Sequence, residues 1–217
     1  MAAPSAATLA VIAISLVLAV GFFLGSRANR LRARDRANWL RAALREHGAE
    51  PRFTPLGSFG FAANAEWTAG PIRRLSVTTL FLPRELPPVW LLRRALGQSD
   101  ALAMRATLAA GVSFEGDMLD PRTDYGRRAE RRLPREWIRE REGDRLLVAP
   151  SEAAMNRVRM ALQPADTASG PQIVSIRRAA PQLLVTVAAP DSEMGTTDEI
   201  AAIARLAGAL AGVQSRR

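Results

Sequence analysis

The residue types that most often perform catalysis are scarce in this chain. It contains no cysteine and a single histidine, His47, which excludes thiolate chemistry and most histidine-based catalysis or zinc binding. Serine catalysis would need His47 as its base, and no Gly-x-Ser-x-Gly elbow accompanies it. We therefore expect His47 to sit at the C-terminal end of a helix, where it interacts with the helix dipole.

Two further patterns resemble functional motifs only superficially. The glycine-rich stretch at 57–60 lacks the Lys-Ser/Thr of a P-loop and the third glycine of a dinucleotide site, so glycines that bend a strand explain it better. Glu66 and Glu136 each precede a tryptophan, but adjacent residues of a strand point to opposite faces. We expect both carboxylates to be exposed.

Asp117, Asp120 and Asp124 form a cluster of carboxylates in the sequence, with Glu115 nearby. Several oxygen ligands can hold a hard cation, but the spacing is not that of a calcium loop. Arginines also surround the group, so we interpret residues 120–135 as an exposed, self-neutralising loop. The sequence predicts no metal and no cofactor. The arginines are Arg122, Arg127, Arg128, Arg131, Arg132 and Arg135.

The charge of the chain is strongly basic, with a formal net charge of +9, and all 30 basic residues are arginine. A coding bias toward arginine explains the missing lysines better than function does. Nucleic-acid binding is not favoured, because single-strand binders use aromatic platforms and only 6% of the residues are aromatic. The 48% apolar content is that of a globular protein.

Residues 6–24 form an uncharged, apolar run long enough to cross a membrane. Eleven of these 19 residues are Leu, Ile, Val or Phe, and at 1.5 Å per residue the run spans about 28 Å. Seven arginines follow it within about 20 residues and none precedes it, so the positive-inside rule predicts an external N-terminus and cytoplasmic residues 27–217. A cleaved signal peptide would carry its positive charge before the apolar run instead.

The segment 27–47, which we call the stem, reads as a basic helix that continues from the membrane span. We predict an anionic-lipid contact through Arg27, Arg30, Arg34, Arg41 and Arg45. A separate stripe would pair with a partner helix or a second copy of the chain; it comprises Ala33, Ala37, Leu40 and Leu44. A third interpretation is that the stripe packs on the protein's own domain while the arginines only set the topology.

Beyond Gly48, alternating apolar residues predict strands, punctuated by helices near residues 87–96, 152–162 and 196–210. The pairs 102–108 with 112–118, 137–140 with 145–148, and 173–176 with 183–187 look like hairpins. Ser151 and the Thr196-x-x-Glu199 capping box would begin two of the helices. The prediction is an α+β domain with a mainly antiparallel sheet, about three helices, and the helices on one face.

The predicted organisation is a transmembrane anchor (1–26), a basic juxtamembrane helix (27–48) and one cytoplasmic domain (49–217). No residue constellation identifies a reaction. We therefore expect a non-enzymatic, membrane-tethered interaction or accessory module, in contact with the lipid bilayer and with a membrane protein or a second copy of itself. The alternatives are a membrane-bound enzyme acting on an anionic substrate and a binder of anionic lipid surfaces.

Overall fold

The computed structural model describes residues 5–162 and 170–215. In these ranges the protein is α+β, with five α-helices and one antiparallel sheet of nine strands. The helices are α1 (Ala6–Glu46), α2 (Pro87–Ala95), α3 (Asp124–Glu130), α4 (Glu152–Leu162) and α5 (Glu193–Ser215). The strands are β1 (Arg52–Pro55), β2 (Gly60–Glu66), β3 (Ile72–Leu80), β4 (Ala101–Leu108), β5 (Gly116–Leu119), β6 (Ile138–Glu142), β7 (Arg145–Ala149), β8 (Ile173–Ile176) and β9 (Leu183–Ala188).

The first helix runs without interruption for 41 residues, which confirms the predicted continuity between the apolar run and the basic segment. Ser5 caps it, since its side chain accepts a hydrogen bond from the Thr8 amide at 3.2 Å. The N-terminal half is long and apolar enough to cross a membrane, and its apolar window is entirely exposed. The C-terminal half packs against α5 and β2.

The strands lie in the order β1-β2-β3-β4-β9-β8-β5-β7-β6, and every neighbouring pair is antiparallel. The β8–β9 pair and the β6–β7 hairpin confirm two of the predicted pairings. The third is wrong. Residues 109–111 do not form a hairpin turn, because β4 pairs with β3 and β9 while β5 pairs with β7 and β8.

One face of the sheet is apolar along a single transverse row of side chains. The register aligns one residue from each of eight successive strands, and seven of them are buried and belong to one core that also contains residues of α1, α4 and α5. The apolar residues alternate because each strand contributes every second side chain to this helix-covered face. The row is Phe53, Ala63, Val77, Met104, Val185, Val174, Met118 and Leu147, of which Phe53 is half-buried.

The opposite face is divided into two parts. Over β2, β3 and β4 it carries small or polar side chains that are partly exposed, such as Ser76, Thr78 and Ala103. Over β5 and β7, Leu119 and Val148 are buried, and α3 packs against β5 and β8. α1, α4 and α5 thus share one face, whereas α3 packs elsewhere and α2 buries none of its residues, so the prediction of all helices on one face is only partly right.

Two local predictions need correction. The charged stretch 120–135 is not wholly a loop, because Thr123 caps the seven-residue α3 by accepting a hydrogen bond from the Gly126 amide at 3.0 Å. The described part of the domain therefore has four helices. The last helix begins at Glu193 rather than at a capping box, since Ser192 Oγ accepts from the Gly195 amide and Thr196 lies within the first turns. Ser151 does cap α4, as predicted. Most of the predicted 164–171 linker lies outside the described residues.

Candidate functional site at the junction of the stem and the domain

The densest polar arrangement in the described residues lies where α1 leaves its exposed apolar half and meets the domain. Four segments meet at this junction: the middle of α1, the 3₁₀ turn Gly57–Phe59, the chain between β3 and α2, and the residue before β4. Local sequence explains the arrangement, because polar residues appear on the otherwise apolar buried face of α1 only at Ser26, Asn29 and Arg36.

Asp100 is the centre of the junction and is only 5% exposed. Arg84 binds it with both terminal nitrogens, at 3.0 Å to Oδ1 and 3.1 Å to Oδ2. Two arginines of α1 approach the other side of the carboxylate, Arg36 at 3.2 Å and Arg32 at 3.7 Å. The Leu82 amide also donates to Oδ1 at 2.8 Å. We call Asp100 and its three arginines the Asp100 cluster.

Arg36 connects the cluster to a third part of the domain. Its Nη2 donates to Asp191, which follows β9, at 2.8 Å, and its guanidinium lies 5.5 Å from the centre of the Phe81 ring. Its Nη1 is close to Asp100 but lacks hydrogen-bond geometry, so that contact is a charge–charge attraction. The positive charge of a side chain that is only 7% exposed is therefore compensated by two carboxylates and an aromatic face.

Asn29 satisfies a second set of buried polar groups. Its amide nitrogen lies within 3.2 Å of the carbonyl oxygens of Ser58 and Leu82 and 3.1 Å from Glu85, and its oxygen accepts from Arg84 at 3.0 Å. Ser58 Oγ donates to the second oxygen of Glu85. Asn29 is 1% exposed, so one amide side chain links α1 to the 3₁₀ turn and to the end of β3.

Two glycines let the backbone come close to α1 just before these polar residues. A Cβ at Gly25 would lie 2.0 Å from the Arg84 carbonyl oxygen, and a Cβ at Gly21 would lie 2.4 Å from Cγ of Pro87. Any larger residue would push the segment 84–87 away. The spacing of four residues places both glycines, and then Asn29, on one face of the helix.

The arginines predicted to contact anionic lipid lie mostly on the surface. Arg27, Arg30, Arg34 and Arg45 are exposed, and Arg41 is half-buried with its guanidinium 4.9 Å from the Phe53 ring centre.

Arg45 differs from the others because it forms two hydrogen bonds to Glu50, at 2.7 and 2.8 Å. This pairing raises the pKa of Arg45 and lowers that of Glu50. The Arg45–Glu50 pair is highly exposed.

The predicted partner-helix stripe faces the interior of the same chain. Leu40 and Leu44 are buried in the core, and Ala33 and Ala37 are half-buried against it. A partner on this stripe stays a prediction, and it would have to displace the contacts between α1 and α5. The core therefore includes residues on both sides of Gly48, where the sequence placed a domain boundary.

The predicted carboxylate group is divided among separate partners. Asp117 lies on β5 and bonds Ser175 and Arg177, with the second distance 2.9 Å. Its Oδ2 is buried and has no hydrogen-bond partner in the described part of the chain. Asp124 instead pairs with Arg128 on α3 at 2.7 Å.

Asp120 bonds Arg122 through both carboxylate oxygens, each at 3.1 Å. The side-chain hydrogen bonds from Arg122 are the main reason that the pKa of Asp120 lies below its ordinary value. Within the described residues no group of three or more His, Asp or Glu side chains is placed to hold a metal ion.

The remaining candidate residues from the sequence each have their own partners. His47 ends α1, with Nδ1 3.0 Å from the Ala43 carbonyl oxygen, and its own carbonyl accepts from Trp67 Nε1 at 2.7 Å. Glu66 forms an exposed pair with Arg74. A pocket of 490 Å³ at the β6–β7 turn has a mixed charged lining that includes Glu142, Asp144, Arg145 and Arg159. The enzyme hypothesis stays a prediction.

Sequence reasoning missed Asp100, Arg84 and Asn29. Asp100 stood in the Gly-x-x-Asp stretch before a strand, and Arg84 followed a proline, both ordinary signs of a turn. The available signal was the spacing Gly21, Gly25, Asn29 on an apolar helix, which indicates close packing on that face.

Compared with known proteins, the chain matches no protein-family model and no curated protein.

Proposed function

We propose that this chain is a non-enzymatic, membrane-tethered interaction module, whose domain is held in one orientation at the cytoplasmic membrane surface. The observation that carries the proposal is the Asp100 cluster. It joins α1 to the domain immediately after the exposed apolar half of that helix. Seven arginines after the apolar run and none before it favour a cytoplasmic domain.

The connection between anchor and domain is rigid for two physical reasons. No helix breaker interrupts α1, so there is no flexible linker of the kind that lets tethered domains swivel. In addition, removing α1 from the domain would take Arg32 and Arg36 away from the buried Asp100, and separating buried charges from their partners is costly. A domain fixed in this way presents the same surfaces to every neighbour in the membrane.

The tether itself can be tested by placing charge in the apolar run. Ile12→Arg together with Val17→Arg adds about 2.5 to 3.5 kcal/mol per arginine to membrane insertion, so the protein should move to the soluble fraction. Leu31→Arg, on the exposed side of the basic segment, is the matched control and should stay with the membrane. Retention of the double variant after alkaline extraction would overturn the tether.

The search for a partner must use photo-crosslinking, because a chain without lysine reacts poorly with amine-directed reagents. A photoreactive residue at Arg34 would probe the exposed side of α1, and one at Arg105 would probe the exposed face of β4. The proposal predicts a discrete protein adduct, in native membranes, from at least one of these positions. Adducts to lipid alone, or none at all from both positions, would contradict it.

A second candidate function, binding to anionic lipid, is favoured by one observation. Arg27, Arg30 and Arg34 are exposed on one side of α1 within about three turns of the apolar run. Each is worth about 1 kcal/mol at an anionic surface.

Replacing all three by glutamine should reduce the preference for spin-labelled phosphatidylglycerol over phosphatidylcholine in reconstituted protein. Arg139→Gln, on an exposed edge strand, is the control. An unchanged preference in the triple variant would exclude these arginines as the lipid contact.

A further inference from the structure

The second helix is built unlike the other helices of the domain. None of its residues is buried, although α1, α4 and α5 each supply several residues to the core. Its most exposed apolar side chains are large: Leu91 is 57%, Leu92 61% and Leu96 64% exposed. A cluster of exposed leucines of this kind marks a surface that meets something apolar.

The residues of α2 are segregated around the helix. At 100° per residue, Val89, Leu92 and Leu96 lie together, and Leu91 adjoins them through Ala95. Arg93 and Arg94 project from the remaining arc, and the Arg94 guanidinium lies 5.9 Å from the Trp90 ring centre. Leucine and valine on one side, with arginines on the other, are typical of helices that lie in a membrane interface.

The position of α2 along α1 identifies what its apolar side meets. Pro87, the first residue of α2, packs against Gly21, which belongs to the apolar run that ends at Leu24. Gly21 precedes Leu24 by three residues, or about 4.5 Å along the helix. In-plane helices bury their apolar face about 5 to 10 Å into the boundary of headgroups and acyl chains, which is a matching depth.

A second segment has the same character at the same level of α1. The 3₁₀ turn Gly57–Phe59 contacts α1, and its Phe59 is 57% exposed. A groove of 420 Å³ between them is lined by Phe22 and Phe23 together with Ser58 and Arg30. Exposed apolar groups therefore occur on both α2 and the 3₁₀ turn where the run ends, and the buried charges begin only beyond them.

We infer that α2 lies in the plane of the membrane as a second, monotopic contact, with Val89, Leu91, Leu92 and Leu96 among the acyl chains and Arg93 and Arg94 at the lipid phosphates. The inference rests on the proposed function insofar as α1 must span the membrane. It commits to lipid as the occupant, because the apolar side of α2 is continuous with the exposed apolar surface of α1. The consequence is a domain held by two elements, so it can neither rotate about α1 nor move away from the bilayer.

The natural absence of cysteine makes a direct test simple, since each single cysteine can carry one environment-sensitive fluorophore. The full chain would be reconstituted into phosphatidylcholine vesicles containing a minority of phosphatidylglycerol. The test position is Leu92→Cys, and Arg94→Cys is its control on the opposite arc. Val17→Cys reports the span, and Ser76→Cys reports the open face of the sheet. All four variants would be compared with and without brominated lipids.

We expect a blue-shifted emission at Leu92 that is quenched by bromine placed near the headgroup end of the acyl chain. Emission at Val17 should be quenched by deeper bromine, and that at Arg94 and Ser76 only weakly. A quenched Val17 with an unquenched Leu92, whether solvated or covered by protein, would overturn the inference and leave the tether intact. An unquenched Val17 would instead refute the tether, and with it the premise of this inference.

Discussion

Among substitutions that change a single polar atom at the junction, Asp100→Asn should lower the free energy of unfolding the most. Asparagine keeps an oxygen for the Leu82 amide, so the substitution removes mainly the charge that faces Arg84, Arg36 and Arg32. Removing one partner of a buried ion pair costs about 3 to 5 kcal/mol. Because Arg36 retains its contact with Asp191, we expect the lower end, about 3 kcal/mol.

The measurement is urea unfolding of the full chain in detergent micelles, followed by tryptophan fluorescence. With an m-value of about 2 kcal/mol/M, a loss of about 3 kcal/mol lowers the midpoint by about 1.5 M. The matched control is Glu66→Gln, which removes the charge of an ion pair with 64–68% exposed side chains and should cost less than about 1 kcal/mol. If Asp100→Asn cost no more than this control, the Asp100 cluster would not hold the stem to the domain.

Three further predictions concern packing and pH. Gly25→Ala should cost about 1 to 3 kcal/mol, whereas Gly208→Ala, where a Cβ meets nothing within 4 Å, should be neutral or stabilising by up to about 1 kcal/mol; equal thermal unfolding of the two would contradict the close approach. Leu44→Ala should cost about 2 to 5 kcal/mol in the same urea assay, and a smaller effect would mean that the stripe is not part of the core. The lowered pKa of Asp120 contributes stability above the ordinary aspartate pKa of about 3.9, and this contribution is lost as the pH falls through the folded-state pKa. Arg122→Gln should raise the pKa of Asp120 in a carboxyl NMR titration, and an unchanged value would exclude Arg122 as the cause.

The pattern of apolar residues predicted most of the elements because burial requires it. From Leu75 in β3 to Phe81 just after it, every second residue is apolar except Thr79, and all four of these side chains are buried. The pairing of β6 with β7 was also predictable, since Gly143 adopts the left-handed conformation, with φ of 58°, that such a tight turn requires.

Local patterns failed where two alternatives look alike in sequence. Alternation predicts that 102–108 and 112–118 are strands, but not which strands are their neighbours. Pairing depends on which side chains complete a buried row across the sheet, and Met104 completes its row with Val77 and Val185. Likewise, Thr123 could begin a helix or a turn, and only its contact with Gly126 within the folded segment shows which.

The sequence by itself determined three properties of this protein: a charge-free apolar run of 19 residues, its uninterrupted continuation into a basic helix, and an α+β domain with antiparallel strands. These properties follow from the spacing of apolar and charged residues along the chain, which can be read from one sequence. Only the tertiary structure decided that Asp100, Arg84, Asn29 and Arg36 meet at one junction, across up to 71 positions of sequence. Their types carry no periodic signal, because a buried ion pair depends on distance in space and on exclusion from water, and folding creates both.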